Sequence, residues 1–345
     1  MNRKATSSLP LPKKILFYLI SYTIIIIVAF SLLEVLARLK GFRPFTVKQA
    51  DIVVEPGGKF FTSHPTLGYT NLPGKFKVTL AGTYSFRATN LDNTLRVTHA
   101  LDDSNLTAAK EEVWVFGDSI TYGWSVNDEE SYSWLLQERF PNYEIVNFGV
   151  SGYGTLHSLI QLREALQTGR KPRLVILAYA SWHDVRNTFT RSRRKLILPS
   201  SHLGPVNQPY ARLTDDGRLE IFRDAEAYRE FPFARHSAFI NALEEIYDGY
   251  EERHARSHEV TKAILKEIFD LCRANRIELI VAALTYDATT SDTLEYCERE
   301  GVKTVSMFVD LTIKANNNLP YDSHPSAIAH QQYAQKLESV LRAGL

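Results

Sequence analysis

Apolar strand-like runs alternate with helical segments from Glu111 to the end of the chain. Five such runs are separated by stretches with helical spacing, and they lie at 113–116, 144–148, 174–180, 277–284 and 303–308. Strands that are joined through helices cannot pair as hairpins, so they assemble into a parallel sheet with helices on both faces. The sequence therefore predicts an α/β fold for residues 111–345.

A long irregular insertion, residues 187–233, interrupts this alternation after the third strand. It contains the basic cluster Arg191–Lys195 and a predicted hairpin between Arg212 and Phe222. Because it leaves from the carboxyl end of a strand, we expect it to lie over the edge where open α/β sheets bind ligands. Two interpretations of the basic cluster stay open: a solvated charged loop, or a surface for anionic lipid or polysaccharide.

The N-terminal segment has no charged residue from Ile15 to Leu33. About nineteen helical residues span ~28 Å, close to the hydrocarbon thickness of a bilayer. The length of this run and the lysines before it favour a membrane anchor over a cleaved signal peptide. We predict a cytoplasmic tail over residues 1–14 and a transmembrane helix over 15–38, although basic residues on both sides leave the orientation nearly balanced.

Residues 39–110 have the pattern of short, half-buried strands. Turn pairs such as Pro56-Gly57 and Pro73-Gly74 separate runs in which apolar and polar residues alternate. We predict a small β-rich lead-in that packs on the main domain. It serves either as a structural collar or as a substrate platform.

Composition and spacing argue against several classes of protein. The net charge of +1 is far from the basic field that phosphate binding needs, so we expect no nucleic-acid partner. Two cysteines, Cys272 and Cys297, exclude a disulfide framework, and buried thiols are favoured over a bridge. His254 and His258 have the spacing of a two-histidine metal site but lack a third ligand. We expect neither a metal nor a cofactor.

Three segments carry candidate chemistry. An apolar run ends in Gly-Asp-Ser119, a second ends in Asn-Phe-Gly-Val-Ser-Gly152, and Asp322-Ser-His324 precedes the last helix. A serine placed directly after a buried strand lies at the carboxyl edge of the sheet. Such a serine can act as a nucleophile if a base reaches it.

In this order, the three segments resemble the SGNH/GDSL hydrolase family, over roughly residues 109–345. The resemblance implies a flavodoxin-like three-layer sandwich with a central parallel sheet, the SGNH hydrolase fold. It also implies ester hydrolysis without a cofactor, with Ser119 as nucleophile, His324 as general base and Asp322 as the acid that orients it. The N–H groups of Ser119 and Gly152 would bind the oxyanion.

The match to the family departs at two positions. His183 stands where the family places an asparagine whose side chain completes the oxyanion hole, and we expect its imidazole to point toward Ser119 and donate there. The family usually has its aspartate three residues before the histidine, where this chain has Tyr321, whereas Asp322 lies two before. Asp310, at the end of a strand-like run, is the alternative acid.

Membrane-tethered members of the family usually face the cell exterior or periplasm, which implies a cytoplasmic N-terminus and an extracytoplasmic catalytic domain. We therefore expect a membrane-anchored esterase that removes acyl groups, such as acetyl, from carbohydrate. Two alternatives stay open: an O-acyltransferase that uses the same residues, and a binding or scaffold protein that has lost activity. Expected partners are an acylated substrate and, through the N-terminal helix, membrane lipid.

Overall fold

The computed structural model describes residues 10–101, 110–205, 207–223 and 227–344. The α-helices of these residues are α1 (Leu11–Leu39), α2 (Ser119–Tyr122), α3 (Tyr132–Arg139), α4 (Thr155–Gln167), α5 (His183–Thr188), α6 (Arg191–Ile197), α7 (Ala238–Ala255), α8 (Ser257–Ala274), α9 (Ala288–Arg299) and α10 (Ala327–Gly344). The strands are β1 (Ile52–Glu55), β2 (Phe61–His64), β3 (Gly68–Asn71), β4 (Gly74–Leu80), β5 (Tyr84–Asn90), β6 (Glu111–Phe116), β7 (Tyr143–Asn147), β8 (Leu174–Tyr179), β9 (Tyr210–Leu213), β10 (Leu219–Phe222), β11 (Glu278–Ala283), β12 (Lys303–Ser306), β13 (Asn317–Asn318) and β14 (Asp322–Pro325).

The chain forms two compact units. One comprises Met1–Val47 and Arg229–Tyr250, and the other comprises Lys48–Tyr228 and Glu251–Leu345. One of the three boundaries between them along the chain falls inside α7.

In the first unit, α1 is long and apolar enough to cross a membrane, with a mean hydropathy of 2.5 over an 18-residue window that is not buried. This fits a single-pass anchor or a signal sequence. Near its end, the Glu34 carboxylate accepts hydrogen bonds from the backbone N–H groups of Ala238 and Phe239, each at 3.0 Å, and from the Ser237 hydroxyl at 2.7 Å. Glu34 thereby satisfies donors that the first turn of α7 would otherwise leave free.

The second unit contains a five-stranded sheet in the order β12-β11-β8-β6-β7, and all of its strand pairs are parallel. Side chains of β6 alternate between two cores. Val113 and Val115 pack toward α3 and α10, whereas Trp114 and Phe116 pack toward α4 and α8. Both faces of the sheet are thus covered by helices, which confirms the predicted three-layer α/β sandwich.

The strand order fixes where a site can form. Counted along the chain, the sheet runs 2-1-3-4-5, which is the flavodoxin-like order. The connection after β6 moves outward to β7, and the connection after β8 moves the other way to β11. The loops that follow β6 and β8 therefore diverge and leave a crevice at the carboxyl ends of these two strands.

The lead-in is β-rich, as predicted. Strands β1, β4 and β5 form an antiparallel sheet, and β2 pairs with β3 as a hairpin. In the insertion, β9 and β10 form the expected hairpin, with Tyr210 opposite Phe222. The basic cluster is not a solvated loop: it forms the helix α6, and one of its members, Arg193, is buried.

The two cysteines and His258 lie away from the crevice. Cys272 and Cys297 are free and buried, and burial raises the pKa of each thiol to about 12, so both are inert at neutral pH. The His258 ring lies between two carboxylates, with Nδ1 at 2.7 Å from Asp184 and Nε2 at 2.6 Å from Asp292. This histidine links α8 to α5 and α9.

Candidate active site

Ser119 lies at the start of α2, directly after β6. The turn between them requires Gly117, because a Cβ atom there would lie 2.1 Å from the Thr121 hydroxyl oxygen. Asp118 caps α2 by accepting a hydrogen bond from the Ile120 N–H at 2.9 Å. The turn holds Ser119 at the carboxyl end of β6, with 6% of its surface exposed.

A short strand brings the predicted acid and base together. Asp322 and His324 both belong to β14, and residues two apart on a strand project from the same face. Asp322 Oδ1 lies 2.6 Å from His324 Nδ1, and His324 Nε2 lies 2.9 Å from Ser119 Oγ. The exposed Ser323 points the other way. The structure thus aligns Ser119, His324 and Asp322 in one line of contacts.

Asp322 is held in place and kept ionised. Its Oδ1 also accepts from the His324 backbone N–H at 3.0 Å, and its Oδ2 accepts from Trp124 Nε1 at 2.9 Å. Burial alone would raise the pKa of Asp322, but the hydrogen bonds and charge of His324, with the Trp124 bond, outweigh it and lower that pKa. A carboxylate at Nδ1 favours a proton there, which leaves Nε2 as acceptor for the Ser119 hydroxyl.

The alternative acid, Asp310, does not meet His324. Its Oδ1 accepts from the backbone N–H and the hydroxyl of Thr312, at 2.9 and 2.6 Å. These bonds form a local turn and lower the pKa of Asp310. Of the two candidate acids, only Asp322 contacts the histidine.

The loop after β7 brings Gly152 to the same cavity as Ser119. Gly152 has a φ of +90°, and a Cβ atom there would lie 2.5 Å from the Tyr69 hydroxyl oxygen. Asn147 joins this loop to α2, since its Nδ2 donates to Thr121 O at 2.8 Å. Within the described residues, the N–H groups of Ser119 and Gly152 donate no hydrogen bond. Both are available to an incoming oxyanion.

His183 departs from the sequence-based expectation. Its ring is buried, with Nε2 at 3.3 Å from Asp118 Oδ2 and Nδ1 at 3.4 Å from the Thr155 hydroxyl oxygen, and it does not line the cavity of Ser119. Burial lowers the pKa of His183 although Asp118 opposes the shift, so the ring is neutral at pH 7. The imidazole lies beside the Asp118 carboxylate, and the expected donation toward Ser119 is not observed.

Sequence reasoning missed the residues that hold Asp118. Its Oδ2 accepts from Arg186 Nη1 at 2.7 Å and from Trp182 Nε1 at 2.8 Å. Burial would raise the pKa of Asp118, but Arg186 and His183 hold it well below its usual range. Arg186 Nη1 also donates to Tyr153 O at 2.7 Å, so this fully buried carboxylate ties the turn after β6 to the loops after β7 and β8.

A cavity of about 440 Å³ opens beside Ser119. Apart from Ser119, Gly152, Asp322 and His324, most of its lining residues come from two segments of the second unit. The lead-in contributes Ile52, Phe61, Tyr69 and Leu80, and the insertion contributes Arg193, Leu196, Ile197, Leu203 and Gln208. Both segments therefore shape the cavity beside Ser119.

One family model matches the chain, and several solved structures are similar to it. Residues 115–332 match the model of the GDSL-like lipase/acylhydrolase family. Similar solved structures include a lipolytic G-D-S-L protein from Veillonella parvula (12% identity, 67% of this chain and 98% of that chain, TM-score 0.40). Another is the esterase EstA from Pseudoalteromonas, inhibited by monoethylphosphonate (12% identity, 68% and 98%, TM-score 0.40).

No curated protein matches the chain. The family model alone spans well over half of the 345 residues. The chain therefore belongs to the GDSL-like lipase/acylhydrolase family and is a hydrolase that acts on ester bonds.

Proposed function

We propose that Ser119 is the nucleophile of this hydrolase, that His324 is its general base and that Asp322 orients the base. The observation that carries the proposal is the continuous line of contacts from Ser119 Oγ to His324 at 2.9 Å and from His324 to Asp322 at 2.6 Å. Ser119 attacks the ester carbonyl while His324 takes its proton. His324 then returns the proton to the leaving alcohol, and Asp322 stabilises the imidazolium between the two steps.

The oxyanion is stabilised by backbone donors in this mechanism. The N–H groups of Ser119 and Gly152 lie on the turn after β6 and the loop after β7, and both residues line the cavity. One preorganised donor is worth about 3 kcal/mol of transition-state stabilisation. In this mechanism the two backbone donors stabilise the oxyanion without a side-chain donor from His183.

The substrate that we propose is an acylated carbohydrate. A cavity of about 440 Å³ is large enough for a sugar unit together with its acyl group. Apolar side chains such as Phe61 and Leu80 suit the acyl group, and the polar side chains of Tyr69 and Gln208 suit sugar hydroxyls.

The nucleophile is tested by replacing Ser119 with alanine in the full-length protein and measuring turnover of short-chain aryl esters and acetylated glycans. We expect turnover to fall by at least about a thousandfold while the melting temperature stays close to that of the unmodified protein. Ser323→Ala is the matched control, because that serine is exposed and lies between Asp322 and His324. A Ser119→Ala protein with near-normal turnover would falsify the mechanism.

Acyl transfer is a second candidate with the same residues. Ser119 is 6% exposed, and residues of the lead-in and the insertion line the cavity beside it. If the acyl-enzyme prefers a sugar hydroxyl to water, adding oligosaccharide will convert ester into acylated sugar faster than into free acid. Equal rates of acid release with and without oligosaccharide would exclude this candidate. A scaffold without activity is disfavoured by the contact between Ser119 and His324.

We propose further that α1 anchors the protein in a membrane with the catalytic unit outside the cytoplasm. The support is the charge-free run of α1 and the lysines at its start. Deleting residues 1–33 removes the run but keeps Glu34 for the first turn of α7, and we expect a protein that no longer sediments with membranes. If the full-length protein is released by alkaline carbonate, or if protease added outside intact cells or spheroplasts leaves the catalytic unit uncut, this proposal is wrong.

A further inference from the structure

Arg193 is a buried cation in the wall of the catalytic cavity. It lies on α6, 8% of its surface is exposed, and it lines the same space as Ser119 and Gly152. Its Nη2 donates to Gly152 O at 3.1 Å. Burial lowers its pKa to about 9, so the guanidinium is still charged at neutral pH. The site therefore holds a positive charge close to the loop that carries Gly152.

No carboxylate of the described residues lies within ion-pair distance of Arg193, and its Nε has no hydrogen-bond partner among them. The second arginine of the cavity differs, because Arg186 is paired with Asp118 at 2.7 Å. A buried charge without a counterion is destabilising. Such a charge is tolerated where a ligand supplies the missing partner.

The remaining groups around the cavity do not neutralise Arg193. Asp322 is engaged with His324, and Asp51 is exposed to solvent, where its charge is screened. Beside Arg193, Gln208 and Ser151 are polar but neutral, and each has a buried oxygen without a partner in the described part of the chain. The cavity thus has a polar corner with one uncompensated positive charge.

We propose that Arg193 binds an anionic oxygen group, a carboxylate or a phosphate, on the ester substrate. This inference rests on the proposed function and narrows its substrate class to acidic esters, such as an acylated sugar acid or sugar phosphate. The guanidinium holds the anionic group in the cavity while Ser119 reaches the ester carbonyl. Substrates without the anionic group lose this contact but keep the chemistry.

Matched acetate esters test the proposal with the full-length protein. The probes are 4-acetoxybenzoate, 4-acetoxyphenyl phosphate and the neutral 4-acetoxybenzamide, which all carry the same acetyl group. An aryl glutarate half-ester and its methyl ester place the charge on the acyl side instead. We expect kcat/KM to favour an anionic ester over its neutral partner by about tenfold to a hundredfold, the range of a charged hydrogen bond. Whichever anionic probe is preferred identifies the group and its side of the ester.

The variant Arg193→Met should remove this preference, so that kcat/KM for an anionic ester falls to that for its neutral partner. Arg193→Lys should keep part of it, because it keeps the charge. Arg194→Met is the control: it removes an equal charge from the same helix, but its side chain pairs with Glu251 and does not line the cavity. A preference unaffected by Arg193→Met, or no preference in the unmodified protein, would overturn the proposal. An equal loss for anionic and neutral esters would instead make Arg193 a support of the Gly152 loop.

A binding measurement separates this inference from the proposed mechanism. In Ser119→Ala, calorimetric titration with 4-acetoxybenzoate and 4-acetoxyphenyl phosphate should detect binding of at least one, and adding Arg193→Met should weaken it at least tenfold. If the unmodified protein hydrolyses none of the esters but this binding is seen, the mechanism fails and the anion site stands. If the esters are hydrolysed and neither anion binds better than the benzamide, the anion site fails alone.

Discussion

Asp322 and His324 lie two residues apart on one face of β14, and their side chains meet at 2.6 Å. A strand places every second side chain on the same side, so this spacing is sufficient for contact. The family's usual spacing of three, which would fall on Tyr321, is not needed here. The one-residue difference in sequence thus reflects a local strand and does not remove the acid from the site.

Asp322→Asn should reduce kcat by about ten-thousandfold with little change in KM. The amide N–H of asparagine can donate to Nδ1 of His324. The ring proton then moves to Nε2, and this tautomer of His324 cannot accept the proton of Ser119. Steady-state kinetics with an aryl acetate measures the effect. Asp310→Asn is the matched control and should leave kcat unchanged, because the Asp310 carboxylate accepts from Thr312 and does not contact His324. The assignment moves to Asp310 if the two variants behave the other way round.

Ser119→Ala and His324→Ala should each reduce turnover severely, and the double variant should be no worse than either single variant. The nucleophile and its base act as one unit, so removing the second partner costs little once the first is gone. The same ester assay, with melting temperatures recorded for all three proteins, makes the comparison. Fully additive losses would mean that the two residues act in separate steps.

His183→Ala should lower the melting temperature and change kcat by less than about tenfold. The ring fills a buried space against Asp118 and Thr155, so its loss leaves a cavity that costs stability. Thermal unfolding and ester kinetics on the same sample separate the two effects. A drop in kcat of about a hundredfold in a fully folded variant would instead restore His183 as an oxyanion donor.

Asp118→Asn should destabilise the protein by about 3–5 kcal/mol at neutral pH, because it leaves Arg186 buried without its counterion. The pKa of Asp118 is depressed in the folded protein, so its stabilising effect is complete above the unfolded pKa of about 3.9 and is lost as the pH falls below it. Urea unfolding of the unmodified protein and of Asp118→Asn, at pH 7 and at pH 3, gives the free energy of unfolding of each protein at each pH. The difference in the free energy of unfolding between the two proteins should be smaller at pH 3 than at pH 7. A larger difference at pH 3 would contradict the prediction.

Gly152→Ala should reduce turnover by at least about tenfold. The added methyl would strike the Tyr69 hydroxyl at 2.5 Å and shift the N–H that faces the oxyanion. Gly169→Ala is the control for backbone strain, since Gly169 also has a positive φ, of +82°, but has open space around it and lies at the far end of α4. Similar losses of activity in both variants would show that strain, and not the position of Gly152, is responsible.

The sheet and the line of contacts at the site could be predicted from the sequence because they depend on local patterns. The apolar run before Gly117 predicts β6 by its composition and its position before a tight turn. In the structure there is no room for a Cβ atom at Gly117 or Gly149. The glycines of these two motifs therefore indicate positions where neighbouring atoms approach the backbone closely. Such requirements are visible in a single sequence.

The direction of long side chains depends on partners that are distant in sequence. His183 occupies the position predicted for it after β8, but its ring lies beside the buried Asp118 carboxylate, which also accepts from Arg186. Arg193 is one of four basic residues in a run of five, and nothing in that run distinguishes the buried one from its neighbours. Its role emerges only when α6 is seen beside Gly152.

The cap that Glu34 provides for α7 limits how far the start of α7 can move from a membrane that α1 spans. An anchor followed by a flexible linker lets its cargo explore a wide range of heights and orientations. Here the carboxylate near the end of α1 holds the backbone of Ala238 and Phe239, and Phe30 meets the Phe239 ring at 5.6 Å. If α1 spans the membrane, the first turn of α7 is kept at the depth of the lipid headgroups. It cannot move away from the membrane surface while these contacts hold.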